Sequence, residues 1–104
     1  KDMIISGGFN IYPSDLEAIL VAHPDVVEAA VVAMPSEEWG ETPAGFVVLK
    51  PGASVDAATL KAWLNERVGK FQRVAEIVFV ETLPRSAIGK VLKRELRDWR
   101  LAAE

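Results

Sequence analysis

Val26-Val-Glu-Ala-Ala-Val-Val-Ala-Met34, followed ten residues on by Ala44-Gly-Phe-Val-Val-Leu49, is the stretch from which the fold can be read. The first run is rich in β-branched side chains and nearly uncharged after Glu28, the composition of a strand buried on both faces. The second is closed by Lys50-Pro51-Gly52, a strong turn signal. Between them lies a polar loop, Pro35-Ser-Glu-Glu-Trp-Gly-Glu41, carrying one conspicuous aromatic, Trp39. So short a link suits an antiparallel pair and makes a parallel crossover unexpected.

Toward the N-terminus, Pro13 stands where a helix can begin, with Asp15 and Glu17 placed for the positive end of its dipole. Leu16, Ile19 and Leu20 share one face and His23-Pro24 ends the run, so a helix is expected over 13–22. Before it, Met3-Ile4-Ile5 is a short apolar segment stopped by Gly7-Gly8, a pair that favours a turn with unusual dihedrals or a close approach. Toward the C-terminus, Asp56 can cap a helix over 57–68 with Leu60, Trp63, Leu64 and Val68 on one face. Glu76–Val80 reads as another strand. From about Val91 a last helix turns Leu92, Leu96 and Trp99 inward and Lys93, Arg94, Arg97 and Arg100 mostly outward. The order β-α-β-β-α-β-α predicts an α+β fold, a small three-stranded sheet with helices packed on it.

With 104 residues, 50% of them hydrophobic and 26% charged, the chain suits one compact domain with a small core. It has no Cys, which excludes disulfides, thiolate zinc sites and a thiol nucleophile. No apolar run is long enough to span a bilayer, and no basic-then-apolar leader opens the sequence, so a cytoplasmic location is expected. Lys1 is not an initiator Met, and structure is expected almost at once, as in a piece of a longer chain. The net charge of −3 conceals an asymmetry: residues 1–69 carry 4 basic and 10 acidic side chains, residues 70–104 carry 8 and 5. The C-terminal third is therefore basic, a property suited to anionic ligands.

The segment Pro84-Arg-Ser-Ala-Ile-Gly-Lys90 carries the most chemistry. Gly89 lets the backbone bend, and Lys90 at the end of such a loop can reach an anion as a mobile point charge. It is not a Walker phosphate loop, because Pro84 and Val91 occupy positions where that motif needs Gly and Ser or Thr. A solvated loop lysine fits the same spacing. Trp39 can form a stacking surface or lie as a lid over the strand pair. Phe71-Gln72-Arg73 sets an aromatic beside a cation, as a base ring with a phosphate would require, although Phe71 could equally anchor its loop to the core. His23, the one histidine, has neither a triad setting nor metal-ligand spacing, and no metal site is expected. The basic helix interleaves Glu95 and Asp98, so pairing such as Arg94–Asp98 accounts for its charge without nucleic acid.

Two longer motifs add to this. Lys1-Asp-Met-Ile-Ile-Ser-Gly-Gly-Phe-Asn-Ile-Tyr-Pro-Ser-Asp-Leu-Glu17 resembles the hinge-and-loop motif of the adenylate-forming acyl-CoA synthetases. Leu83-Pro-Arg-Ser-Ala-Ile-Gly-Lys-Val-Leu-Lys-Arg-Glu-Leu-Arg97 resembles their catalytic-lysine motif. With Val26–Val48 also fitting, the likeness to the C-terminal domain of this luciferase-like superfamily covers essentially the whole chain. It implies an AMP-forming ligase that joins a carboxylic or fatty acid to coenzyme A through an acyl-adenylate, with ATP and coenzyme A as substrates. Residues 1–104 would be its mobile C-terminal domain, working against an N-terminal domain that binds ATP, Mg2+ and the acid.

By the same resemblance Lys90 matches the adenylation lysine and Lys1 the hinge. Gly8, with Gly7 beside it, matches a loop bordering the pantetheine channel. Trp39, Phe71 and Arg73 match positions that contact the nucleotide end of coenzyme A in some aryl-CoA ligases, and Val74 stands where Pro often follows that Arg. Pro84-x4-Gly89-Lys90 also resembles the motif around a lysine that protein acetyltransferases modify, which makes such an enzyme an implied partner at Lys90. Two alternatives stay open at this level. One is an adenylation domain that delivers to a carrier-protein pantetheine; the other is a stand-alone module binding an anion or RNA.

Overall fold

The computed structural model describes residues 2–103. Its centre is the hairpin of β3 (Val26–Ser36) and β4 (Gly40–Leu49), in antiparallel register from Val26↔Leu49 to Ser36↔Gly40 with a bulge between Val26 and Glu28. Both strands run further than their apolar cores suggested. Pro35 and Glu41 pair within the ladder, so the expected loop shrinks to Glu37-Glu38-Trp39.

The sheet has five strands where three were expected: the segment before the first helix joins it, and the turn at Gly7-Gly8 folds that segment into two strands. β1 (Ile4–Ser6) and β2 (Phe9–Ile11) form an antiparallel hairpin in which Ser6 faces Phe9 across this two-residue turn. Both glycines have positive φ, +57° and +85°, which a two-residue hairpin turn matched to strand twist requires. β1 joins the main sheet through Ser6↔Gly40. β5 (Glu76–Phe79) lies parallel to β4 with Ala44↔Glu76 through Val47↔Phe79, so its connection is a crossover carrying α2. The strand order is β2-β1-β4-β3 with β5 also beside β4, and β3 is an edge.

Helix α1 (Pro13–Val21) begins on Pro13, buries Leu16 and Leu20, and ends one residue short of the expectation. Helix α2 (Ala57–Asn65) is capped by Asp56, whose Oδ1 accepts from the Thr59 backbone N–H at 2.7 Å. It stops three residues before the expected end, and a single 3-10 turn follows at Lys70–Gln72. Helix α3 (Lys93–Ala102) starts two residues later than expected, because Val91 is used in a bridge to Arg85.

Alternation within the strands divides the core in two. Val31 and Val47 point to one side, packing with Leu16, Leu20, Leu60 and Leu64 of α1 and α2. Val32 and Phe46 point to the other, with Met34, Leu83 and Leu96 of α3. That is why the central run needs apolar residues at successive positions. Trp99 departs from its expected place: it is 52% exposed and only leans on Phe46, ring centroids 6.3 Å apart. The outer edge of β3 is closed by side chains. Glu17 Oε2 accepts from the Val31 N–H at 2.9 Å and meets the Lys93 ammonium at 2.8 Å. Lys93 also pairs with Asp2. Among the described residues no helix is long and apolar enough to cross a membrane.

Candidate functional site

Lys90 stands at the end of a small, fully bonded hairpin. Ser86 N–H donates to the Lys90 carbonyl at 2.8 Å, Gly89 N–H donates to the Ser86 carbonyl at 2.9 Å, and Leu92 N–H donates to the Pro84 carbonyl at 2.8 Å. The Lys90 N–H adds a bond to Ser86 Oγ at 3.3 Å. Gly89, at φ +86°, takes the left-handed position of a three-residue hairpin loop, and no atom lies within 4 Å of where its Cβ would be. It is glycine for its dihedral, with space to spare. Leu83 is buried and Val91 packs on the core, which seats the base of the hairpin. Its tip is open: Ile88 is 89% exposed. Lys90 is exposed too, and among the described residues its ammonium has no ion-pair or hydrogen-bond partner. A fixed backbone therefore presents an uncommitted cation.

A second cluster forms elsewhere, from residues far apart in sequence. Trp39, Phe71 and Arg73 line a groove of about 240 Å³, together with Phe9, Thr42 and Lys70. The two rings are half-exposed, Trp39 at 49% and Phe71 at 50%. Gly7 seats Trp39: its N–H donates to the Trp39 carbonyl at 2.8 Å, and an added Cβ would fall 2.7 Å from ring atom Cε3. Phe9 stacks on Phe71 with centroids 4.0 Å apart and planes 11° from parallel, so one face of Phe71 is already covered. The Lys70 ammonium is 5.8 Å from the Phe71 centroid.

The segment that carries Phe71 and Arg73 is held by Asn65 at the end of α2. Asn65 Oδ1 accepts from the Val74 N–H at 2.9 Å and its Nδ2 donates to the Val74 carbonyl at 3.2 Å, in the manner of a neighbouring strand. A proline at 74 would lack that N–H, so Val74 is put to use here. Ala75 N–H then donates to the Pro43 carbonyl at 2.9 Å, joining the segment to β4.

Of the residues singled out from sequence, Gly7, Trp39, Phe71 and Arg73 come together. Gly8 turns away, with nothing within 4 Å of its would-be Cβ. Lys90 borders a different depression, beside Asp2, Glu17 and Lys93. Lys1 lies outside the described residues. Phe9, Lys70 and Asn65 were not singled out. The Gly-Gly turn between two apolar runs could have exposed Phe9 as the start of a strand. Nothing periodic marks Lys70 or Asn65. On α3, Lys93 pairs with Glu17 and Arg100 with Glu76 at 3.0 and 3.1 Å; the expected Arg94–Asp98 pair does not form among the described residues, and Asp98 lies instead 3.9 Å from Arg97.

Residues 15–90, well over half of the chain, match the family described as the AMP-binding enzyme C-terminal domain. The chain belongs to this family. It is similar to the 2-succinylbenzoate–CoA ligase of Geobacillus kaustophilus (strain HTA426), 52% identical over 97 residues, 93% of this chain and 20% of the relative. It is also similar to 4-coumarate–CoA ligase 1 of Solanum tuberosum, 42% identical over 103 residues, 99% of this chain and 19% of that one. The crystal structure of apo MatB from Rhodopseudomonas palustris superposes with a TM-score of 0.93 at 39% identity, covering 99% of this chain and 21% of that one. The chain thus spans about a fifth of the length of these relatives.

Proposed function

We propose that residues 1–104 are the mobile C-terminal domain of an AMP-forming acid–CoA ligase and that Lys90 serves its first half-reaction. The observation that carries this is the uncommitted Lys90 ammonium on a rigid, outward hairpin. In adenylation a carboxylate attacks the α-phosphate of ATP and pyrophosphate leaves. Two anions must meet, and negative charge gathers on the transferred adenylyl group. A cation held between them offsets the repulsion and stabilises the charge on the α-phosphate as the adenylyl group passes to the acid, most strongly where a larger domain has excluded water. In this reading Mg2+ accompanying ATP would be held by the N-terminal domain.

In the second half-reaction the coenzyme A thiol displaces AMP to give the thioester, and different parts of this domain serve it. Gly8 keeps the thiol's path clear, and the groove at Trp39 receives the nucleotide end. With one face of Phe71 covered by Phe9 and the Lys70 ammonium over the ring, adenine stacks on the half-exposed Trp39, while Arg73 and Lys70 meet phosphate. This groove also favours coenzyme A over a carrier-protein arm, whose pantetheine brings no nucleotide to fill it. Lys1 is the hinge in this reading.

The test separates the half-reactions in the full-length protein. Lys90→Ala should slow acyl-adenylate formation by about 100- to 1,000-fold and leave thioester formation from supplied adenylate nearly unchanged. Gly8→Leu should do the reverse. Gly8→Ala is its control, since it shares the strain of φ +85° without the bulk. Equal losses in both steps for Lys90→Ala would overturn the reading.

A further inference from the structure

Arg85 spans two parts of the molecule at once. Its Nη1 donates to the Gly89 carbonyl at 2.8 Å, and its Nη2 donates to Glu28 Oε1 on the edge strand β3. Gly89 directly precedes Lys90, so the guanidinium holds the peptide unit from which the Lys90 side chain departs. The backbone bonds of the hairpin run within it and preserve its shape. They do not set its angle to the sheet. Among the described residues, the side chain whose hydrogen bonds join the hairpin tip to the sheet is Arg85. A planar guanidinium suits this task because its donors leave in fixed, divergent directions, whereas an ammonium gives one point of charge. Both partners are well exposed, with side chains 44% and 37% accessible, so the ion pair adds little to stability. Its consequence is geometric.

We propose that Arg85, anchored by Glu28, is a positioning residue for Lys90, fixing where the ammonium arrives when the hairpin enters the adenylation site. The proposal rests on the reading of Lys90 given above. It extends the working unit from one lysine to a chain of contacts, Glu28 to Arg85 to the Gly89 carbonyl to Lys90.

In the full-length protein, Arg85→Ala should slow adenylate formation about 10- to 100-fold, the scale of a misplacement near 1 Å. The loss should fall on kcat more than on the KM for ATP. Thioester formation from supplied adenylate and the melting temperature should stay as in the parent. Glu28→Gln, which keeps the shape and drops the charge, should show a smaller loss in the same step, and Arg85→Lys should recover part of the rate. In a Lys90→Ala background Arg85→Ala should add nothing, since both act through one ammonium. Adenylation at the full rate in Arg85→Ala, or equal losses in both half-reactions with a lowered melting temperature, would overturn the proposal while leaving Lys90 in its role. If Lys90→Ala itself adenylates normally, the functional reading fails and this proposal falls with it.

Discussion

At Gly7 the chain turns with φ +57° and, at the same point, passes beneath the Trp39 ring with no room for a methyl group. A side chain there meets two obstacles: the left-handed dihedral, worth about 1–2 kcal/mol, and a Cβ position 2.7 Å from an aromatic carbon. Gly7→Ala should therefore push Trp39 from its seat and, on the function proposed above, raise the KM of the full-length protein for coenzyme A while leaving adenylation intact. Trp39→Ala should give the same pattern, and an unchanged KM in both variants would remove the groove from coenzyme A binding. This role of Gly7 was not legible in the sequence. Two glycines in a row announced a turn, but what the turn lies under depends on Trp39, brought there by the β3–β4 hairpin. The setting of Lys90, though not its role, was legible because it is local: the glycine and the lysine are adjacent, and the hairpin closes within a few residues.

Among the elements, α2 is the one whose start depends on a titrating group. The Thr59 backbone N–H, with a further hydrogen bond from its side chain, holds the Asp56 carboxyl below its ordinary value. A depressed folded-state value means that the ionised cap stabilises the helix above the unfolded carboxylate's pKa, and the contribution is lost as pH falls through the folded one. The lead in melting temperature of the parent over Asp56→Ala should accordingly be full at neutral pH and shrink below about pH 4. The lead of Asp56→Asn, which caps without ionising, should not change with pH. If the parent's lead persists in acid, the charge on Asp56 is not what caps the helix. This cap was readable from one residue. The far end of α2 was not, because Glu66, Arg67 and Val68 continue an acceptable helical pattern. The helix stops where Asn65 turns to pair with Val74, and that contact crosses nine residues. The convergence of Phe71 and Arg73 on Trp39 depends on it.

For the whole molecule, the decisive arrangement is a sheet covered on both sides by few helices. Phe46 is fully buried on the α3 side, where its neighbours are mostly small or aliphatic. Phe46→Ala should cost about 3–5 kcal/mol, a large fraction of the roughly 5–15 kcal/mol that holds a domain of this size. Urea unfolding would measure it, and a loss below about 1 kcal/mol would show that α3 collapses onto the gap. The two-faced burial was legible in the unbroken apolar run of β3. The strand count was not, since three-residue strands such as β1 and β2 carry too few positions to show a period.

The Glu17 carboxylate on the Val31 amide has a consequence for the protein in a crowded solution. An 11-residue, sparsely charged strand at the rim of a sheet is a template on which another copy could lay its own strand. Here a central N–H of that rim is already taken by a carboxylate, Glu28 places a charge further along, and Pro35 offers no donor near the end. A strand laid on this edge would first have to displace that carboxylate, which makes the edge a poorer template for self-assembly.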